Sequence, residues 1–206
     1  MACGKKLGLS PRQEEIISAA LDIVSTAGIE ALTIRNLSER LGFSEAAFYR
    51  HFPGKSGIFS ALAERFQVVS DETIDRIKAE KKPPLERVAA FFLDRCRLFA
   101  SDRLVTEVMF SEELFKADAE LADRVREIMS HHRRHLELIL AAGQADGTIT
   151  AELPAAHLFM VIMGTLRLLV SQWRLHDRSF DLPAAGLELW KSLAGLIKAK
   201  NGKEVS

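Results

Sequence analysis

Cysteine is scarce in this sequence, since the 206 residues contain only Cys3 and Cys96. Cys3 lies near the start of the chain and Cys96 lies within an apolar stretch. Two cysteines so placed exclude a disulfide framework and favour a reducing compartment. We therefore expect a cytoplasmic protein that is stabilised by its core, because 48% of the residues are hydrophobic.

The sequence also lacks an excess of charge of either sign. Lys and Arg total 28, and Asp and Glu total 28. No global positive field attracts nucleic acid, so DNA binding would depend on the local placement of charge. Residues 1–57 hold seven basic and six acidic side chains, a mixture that is equally typical of an ordinary solvated surface.

No signal peptide or membrane span is apparent. The start, Met-Ala-Cys-Gly-Lys-Lys, carries charge without an apolar run behind it. The most apolar segment, residues 157–173, is interrupted by Arg167. We expect no interaction with a membrane.

Catalytic and metal-binding motifs are missing as well. The chain has no glycine-rich phosphate loop, nucleophile elbow or paired-cysteine motif. His131, His132 and His135 are the one cluster with helical spacing suited to a metal. Arg133 and Arg134 lie between them and would repel a cation. We therefore predict a binding protein, not an enzyme, with no cofactor and no metal.

What the sequence does contain is helical periodicity, without a convincing strand pattern, so the predicted fold class is all-α. Ser10-Pro11-Arg12-Gln13 begins the first helix with a capping serine, a proline at the first helical position and a glutamine placed to bond back. An apolar stripe follows, and Gly28 ends it.

The most specific pattern extends over residues 33–55. Two leucines one turn apart precede Gly42, at the position where a helix ends in a left-handed residue. Ser44 is placed to cap a second helix, and Phe48 and Phe52 give that helix one buried side. Two short helices joined by such a turn form a helix-turn-helix, whose second helix enters a DNA major groove.

This segment resembles the DNA-binding region of the TetR-type transcriptional repressors. They carry a threonine before the second helix, a glycine-hydrophobic-serine turn, and an aromatic-rich ending before a lysine. Here these are Thr33, Gly42-Phe43-Ser44, and residues 49–55. The resemblance is strong over residues 10–60, while the remainder agrees in being helical and of suitable length. Within the family, residues 44–53 are most similar to the nucleoid occlusion subgroup, which regulates cell division.

The resemblance implies a set of DNA-binding residues. Four of them are expected to contact the phosphate backbone: Thr33, Tyr49, His51 and Lys55. Glu45, Ala46 and Ala47 are expected to face base edges, and Arg50 could do either. The full predicted set is Thr33, Arg35, Ser44, Glu45, Ala46, Ala47, Tyr49, Arg50, His51 and Lys55. The basic residues Lys5, Lys6 and Arg12 either reach DNA phosphates as an arm or belong to a solvated tail.

A long helix is predicted beyond Lys55, and Lys81-Lys82-Pro83-Pro84 ends it because proline removes a donor. We predict a helix-turn-helix DNA-binding domain over 1–57 and a helical ligand-binding and dimerisation domain over 58–206. Further helical stretches are predicted at about 85–101, 103–116, 119–142, 154–175 and 183–199, which gives about nine helices in all.

The last two stretches carry apolar residues on more than one face, whereas a surface helix needs only one. They could be central to their own subunit. The favoured interpretation, which the resemblance also implies, is a four-helix interface in a homodimer through about 154–199.

The middle helices are rich in phenylalanine and methionine. From spacing alone, such a cluster is typical of plain core. The resemblance implies instead a pocket for a small lipophilic effector, in which Arg95 could meet an anion. The candidate ligand-binding residues are Phe92, Arg95, Cys96, Phe99, Met109, Phe110, Met129 and Met163.

These patterns predict a DNA-binding transcriptional regulator, a repressor that binds a near-palindromic double-stranded operator as a dimer and is released by a small apolar effector. The alternative is a DNA-bound factor of the nucleoid occlusion type, whose output is a protein contact. A ligand-sensitive operator and a polar contact surface on the dimer would distinguish the two functions.

Overall fold

The computed structural model describes residues 8–199, and these residues form the predicted all-α fold. The helices are Pro11–Ala27 (α1), Ile34–Leu41 (α2), Glu45–Phe48 (α3), Lys55–Ala79 (α4), Pro84–Ser101 (α5), Arg103–Met109 (α6), Glu112–Ala117 (α7), Ala119–Ala145 (α8), Ala155–Leu175 (α9) and Leu182–Ile197 (α10). A single turn of 3-10 helix spans Ile29–Ala31. Within the described part of the chain, extended pairing is limited to an isolated bridge between Ile149 and Lys198.

The first helix begins and ends as its sequence predicts. The Gln13 backbone N–H donates to the Ser10 hydroxyl at 3.3 Å, and the Ser10 N–H donates to the Gln13 side-chain oxygen at 2.9 Å. Pro11 occupies the first turn, where its missing donor costs nothing. Gly28 ends the helix with a φ of 83°, a region that favours glycine.

The helix count differs from the prediction at one place. The stretch 103–116, expected as one helix, is divided into α6 and α7, so the described residues form ten α-helices rather than about nine. The backbone leaves the helical conformation at Phe110, and the Ser111 hydroxyl accepts from the Leu114 N–H at 3.3 Å. A serine that caps a new helix stabilises the break, because its hydroxyl satisfies a donor that would otherwise lack a partner.

The described residues divide into two compact units. Unit 1 contains residues 8–72 and 102–128, and unit 2 contains residues 73–101 and 129–199. In unit 1, α6 packs on α1, and the Arg103 guanidinium donates to the Ser25 carbonyl at 2.9 Å. The sequence did not anticipate that 102–128 group with the first helices. The functional division into 1–57 and 58–206 stays a prediction.

In unit 2, α5 packs against α9 and α10. The rings of Phe92 and Trp190 lie 5.4 Å apart between centroids. Gly186 lets α10 approach α5 closely, because a Cβ at that position would lie 2.5 Å from the Cys96 sulfur. The core of this unit therefore depends on one small residue at a helix contact.

Candidate nucleic-acid interface and effector region

The turn between α2 and α3 is held by glycine and by a cation–π contact. Gly42 adopts a φ of 68° and a ψ of 32°, and the Phe43 N–H donates to the Ser38 carbonyl at 3.1 Å. A left-handed residue at this point closes the helix and reverses the chain. The Arg12 guanidinium carbon lies 4.8 Å from the centre of the Phe43 ring, which ties the turn to α1.

The recognition segment, residues 44–52, is anchored by two buried rings. The Ser44 hydroxyl accepts from the Ala47 N–H at 3.2 Å and starts α3. Helical hydrogen bonding continues past the end of α3, since the Phe52 N–H donates to the Phe48 carbonyl at 3.2 Å. Phe48 is 0% exposed and Phe52 is 4% exposed. Burying each ring contributes roughly 1.5–3 kcal/mol, which fixes the orientation of a very short helix.

The other side of the recognition segment is open to solvent. Glu45, Ala46 and Arg50 are exposed, and Tyr49 keeps 54% of its surface exposed. The Tyr49 ring packs edge-on against Phe48, with centroids 5.7 Å apart. The segment thus buries one side and exposes a carboxylate, a methyl group, an aromatic ring and a guanidinium on the other.

Two cations of this surface are available to an external anion. Arg50 and Lys55 are exposed, and their side chains make no hydrogen bond or ion pair with any of residues 8–199. Lys55 is the first residue of α4, where the helix dipole adds positive potential. Arg35 differs, because its Nε donates to Glu39 at 2.9 Å, and this bond raises the pKa of Arg35. Arg50 and Lys55 are therefore the free cations of the helix-turn-helix.

The remaining predicted DNA-binding residues also lie at the surface or are half-buried. The Thr33 hydroxyl accepts from the Asn36 N–H at 3.0 Å and caps α2. Ala47 and His51 are half-buried, and the His51 carbonyl accepts from the Gln13 side chain at 3.0 Å. Thr33, like Ser44, thus has a capping role in the structure. Cys3, Lys5 and Lys6 lie outside the described residues.

The predicted ligand-binding residues do not form one cluster within a compact unit. Phe92, Arg95, Cys96, Phe99, Met129 and Met163 belong to unit 2, whereas Met109 and Phe110 belong to unit 1. The four residues on α5 and Met109 are buried, and the other three are half-buried. Burial raises the pKa of the Cys96 thiol to about 12, so this side chain behaves as a small neutral core residue.

Arg95 is engaged by groups of its own chain. It is 1% exposed, and it donates to the Asp94 carboxylate at 2.7 Å and to the Thr73 hydroxyl at 3.2 Å. Asp94 also accepts from Arg76 at 3.1 Å. Burial lowers the pKa of Arg95, and Asp94 opposes that shift. The guanidinium lies 5.3 Å from the centre of the Phe91 ring, so it is held by a carboxylate, a hydroxyl and an aromatic face.

His132 is a buried neutral histidine. It is 1% exposed, and its ring meets the Phe91 ring edge-on at 5.2 Å. Burial lowers its pKa to about 3, and the charges of Arg95, His131 and His135 act in the same direction. Among residues 8–199 there is no group of three or more His, Cys, Asp or Glu that could hold a metal ion.

A pocket of about 220 Å³ opens in unit 2 between α4, α5 and α8. We call it the α4–α5–α8 pocket, and its lining residues are Ile74, Ile77, Lys78, Arg87, Phe91, His135, Leu136, Leu138 and Ile139. None of the eight residues predicted to bind ligand lines it. Sequence reasoning missed Arg87, although it precedes Phe91 by four residues and so shares a face of α5 with it.

Helices α9 and α10 carry apolar side chains that residues 8–199 leave exposed, and those of α9 share one face. Leu158, Ile162, Leu166 and Val170 of α9 are buried. Exposed apolar side chains on α9 and α10 are Met160, Val161, Leu168, Leu175, Leu187 and Leu196. By length and composition α9 could cross a membrane, and only 22% of its most apolar window is buried within the chain. One side of α9 is therefore buried within the chain and the other side is exposed.

Comparison with protein families covers most of the chain. Residues 16–62 match the family described as bacterial regulatory proteins, tetR family. Residues 63–195 match the family described as YsiA-like protein, C-terminal region. The two matches meet within α4 and together include the helix-turn-helix, the α4–α5–α8 pocket and most of the last two helices.

Curated relatives and a solved structure agree with this family. The chain is 32% identical to the nucleoid occlusion factor SlmA of Vibrio vulnificus over 141 residues, 68% of this chain and 70% of that protein. It is 25% identical to the fatty acid metabolism regulator protein of Bacillus subtilis over 193 residues, 92% of this chain and 97% of that protein.

In fold the chain resembles the crystal structure of the regulator FadR from Bacillus subtilis in complex with stearoyl-CoA. The TM-score is 0.72 at 24% identity, over 88% of this chain and 97% of that chain. With a helix-turn-helix in place and both family matches covering most of its length, the chain belongs to the TetR family of bacterial DNA-binding transcriptional regulators.

Proposed function

We propose that this protein is a cytoplasmic repressor that binds a near-palindromic operator as a homodimer and releases it when a small apolar effector binds. Residues 1–57 are the DNA-binding domain, and residues 58–206 are the ligand-binding and dimerisation domain. The observation that carries the proposal is the recognition segment, which buries Phe48 and Phe52 and leaves Glu45, Ala46 and Arg50 open to a partner.

Contact roles follow from side-chain chemistry and exposure. Lys55 and Arg50 are free cations suited to phosphate oxygens, which set the register of the protein on the duplex. Glu45 is a carboxylate at the first position of α3, where it can accept from the amino group of a cytosine. The methyl groups of Ala46 and Ala47 suit a thymine methyl. Thr33, Arg35, Ser44, Tyr49 and His51 complete the contact surface.

Dimerisation is supported by the exposed apolar side chains of α9 and α10. An apolar surface of this kind is typical of a protein interface. A single short recognition helix reads few bases, so a specific site needs two of them, and twofold symmetry in the protein requires twofold symmetry in the DNA. The homodimer is therefore formed through about 154–199. Burial of α9 against the partner subunit explains why this helix is long and apolar, without a membrane.

An apolar effector is supported by the relatives and by the path of α4. The similar regulator from Bacillus subtilis was solved with stearoyl-CoA, an acyl compound. Helix α4 begins at Lys55 of the DNA-binding surface and also supplies Ile74, Ile77 and Lys78 to the α4–α5–α8 pocket. A ligand that favours one arrangement of this helix shifts DNA affinity by the difference in its affinity for the two states, typically about 1–3 kcal/mol.

Selection of bound duplexes from a random pool by the full chain tests the DNA-binding proposal. We expect an enriched inverted repeat, with half-sites about one helical turn or a multiple of it apart. A matched selection with Arg50→Ala and Lys55→Ala should recover the same sequence at lower yield, because backbone contacts position without specifying. Enrichment of a single unrepeated half-site, or of no sequence, would contradict the proposal.

The second candidate is a DNA-bound factor that acts through a protein contact. The 32% identity to a nucleoid occlusion factor favours it. It predicts binding sites unrelated to promoters and no change in DNA affinity with any small molecule. A change in DNA affinity on titration with apolar compounds would therefore favour the regulator.

A further inference from the structure

The α4–α5–α8 pocket combines an apolar floor with a cationic rim. Its walls include Ile74, Ile77, Phe91, Leu136 and Ile139, all of which are buried in the chain. At about 220 Å³ the pocket is larger than the roughly 150 Å³ cavity that is known to hold benzene, and smaller than the roughly 300–1,000 Å³ sites of drug-sized ligands. A short alkyl or aryl group is the size of molecule that it accommodates.

The charged groups of the rim have one sign. Lys78 and Arg87 line the pocket, and no carboxylate does. Arg87 is half-buried, its guanidinium makes no hydrogen bond or ion pair with any described residue, and the Nε atom is buried. Lys78 has only a distant partner, Asp75, at 3.7 Å. Withdrawing guanidinium atoms from water without a partner is costly, so this site gains from an anion.

Arg95 contrasts with Arg87. Its guanidinium already donates to Asp94 and Thr73, and it does not line the pocket. Phe91 lines the pocket, and its ring also contacts the Arg95 guanidinium and the His132 ring. The interior cation Arg95 is thus compensated by its own chain, whereas the Arg87 guanidinium has no partner among residues 8–199 and Lys78 has only Asp75 at 3.7 Å.

We propose that the α4–α5–α8 pocket binds a small apolar acid, a medium-chain or aryl-alkyl carboxylate, with Arg87 and Lys78 holding the carboxylate and the isoleucines and Phe91 holding the apolar group. This inference deepens the effector part of the proposed function and rests on it for the regulatory consequence. It assigns recognition of the anion to Arg87 instead of the predicted Arg95.

Three ligands that share an eight-carbon chain and differ in head-group charge test the chemistry. Octanoate, octanol and octylammonium are titrated into the full chain by calorimetry. We expect octanoate to bind most tightly, octanol more weakly and octylammonium least, because both rim cations attract the first and repel the last. Equal affinity for octanoate and octanol, or preference for octylammonium, would overturn the proposal.

Variants locate the site. Arg87→Met should weaken octanoate binding roughly 10- to 150-fold, the loss typical of a hydrogen bond to a charged group, and should leave octanol binding nearly unchanged. Arg97→Met is the matched control, because Arg97 is exposed on the same helix and does not line the pocket. An equal loss in both variants, or none in Arg87→Met, places the acid elsewhere.

A second pair of variants, both at Leu138, tests the site if Arg87→Met folds poorly. Leu138 lines the pocket and is 70% exposed, so a polar residue there is tolerated. Leu138→Asp adds a carboxylate at the rim and should weaken octanoate binding, whereas the near-isosteric Leu138→Asn should weaken it less. Equal affinities in this pair would overturn the proposal.

Operator-binding measurements on the same preparations distinguish a wrong pocket assignment from a wrong proposed function. If octanoate fails to bind while the wild-type chain binds its operator, only the pocket assignment is wrong. If the wild-type chain binds no DNA sequence selectively, the proposed function fails, and the calorimetric ranking still decides whether the pocket takes an acid.

Discussion

Several polar side chains of the helix-turn-helix are already committed within the fold. The hydroxyls of Thr33 and Ser44 cap helices, and the guanidinium of Arg35 bonds to Glu39. Arg50 and Lys55 have no such partner among the described residues. We therefore expect Arg50 and Lys55 to contact DNA with the least rearrangement.

Replacing Lys55 with alanine should weaken binding to every duplex and reduce the slope of log affinity against log salt by about 1, because one phosphate contact and its released counterion are lost. Fluorescence titrations at several salt concentrations measure both quantities. Lys81→Ala, at an exposed lysine of unit 2 outside the proposed dimer interface, is the control and should change neither. An unchanged salt slope in Lys55→Ala would remove this lysine from the interface.

Replacing Glu45 with alanine should change base preference at one operator position by about 1–3 kcal/mol, because a base-edge acceptor is lost. Glu39→Ala also removes a carboxylate, but it frees Arg35 and should tighten binding to all sequences without changing preference. Competition with single-base operator variants measures the effect. Identical preferences in Glu45→Ala and the parent at every position would exclude direct readout by Glu45.

His132 should make stability depend on pH. Its pKa is about 3 in the folded chain against an unperturbed value of 6.5, so the unfolded chain binds the proton more readily. The contribution of neutral His132 to the free energy of unfolding is fully present above about pH 6.5. It falls by up to about 1.4 kcal/mol per pH unit as the pH drops towards 3. Groups near the ring are Arg95 on α5 and His131 and His135 on α8.

Denaturant unfolding between pH 4.5 and about 7.5 tests this, because acid unfolding reports protons taken up on unfolding. His132→Leu should flatten the dependence, while His157→Gln, at an exposed histidine of α9, should leave it unchanged. The same pH dependence in the parent and in His132→Leu would show that other groups are responsible.

Among the helices, α5 and α10 approach each other closely at a single residue, Gly186. Gly186→Ala would place a Cβ 2.5 Å from the Cys96 sulfur. We expect overpacking to cost about 1–3 kcal/mol, more than the gain of at most about 1 kcal/mol in helix propensity. Chemical denaturation measures the difference in the free energy of unfolding.

The control for this contact is Gly195→Ala on the same helix, where nothing lies within 4 Å of the added Cβ. It should be neutral or stabilising in the free energy of unfolding. Cys96→Ala combined with Gly186→Ala should recover part of the loss, because it removes the sulfur. Equal stability of Gly186→Ala and Gly195→Ala would contradict the predicted clash.

Elements with local signals were predictable from the sequence. Ser10, Gly42 and Ser44 act where the sequence places them, because capping depends on neighbouring backbone groups. The break at Ser111 was missed, since a serine within an apolar periodic stretch has no local feature that separates a cap from a helical position. The pocket and the partnership of Arg95 with Thr73 were also missed, because they depend on contacts between distant segments.

At the scale of the whole molecule, we propose that a second copy of the chain covers the exposed apolar side chains of α9 and α10. Leu168→Glu should give a monomer of 22.9 kDa, because two unpaired carboxylates would be buried in a twofold interface at a cost of several kcal/mol. Leu138→Glu is the control, at a side chain that is 70% exposed on α8 against 61% for Leu168. Sedimentation measures the mass. A dimeric Leu168→Glu would place the interface elsewhere.

The family assignment covers DNA binding and transcriptional regulation, while the repressor, the dimer and the effector are proposals. They depend on one another, because a dimer sets the operator symmetry and an effector acts by changing the fit of two recognition segments to it. The features that connect them are exposed apolar side chains on α9 and α10, a pocket lined in part by α4, and Lys55 at the start of the same helix.

Mapping the DNA that is bound across the source genome tests the central claim most directly. A regulator predicts a limited set of sites that lie in promoters and share an inverted repeat. Binding scattered broadly along the chromosome, without relation to promoters, would contradict the account and favour the nucleoid occlusion type of factor.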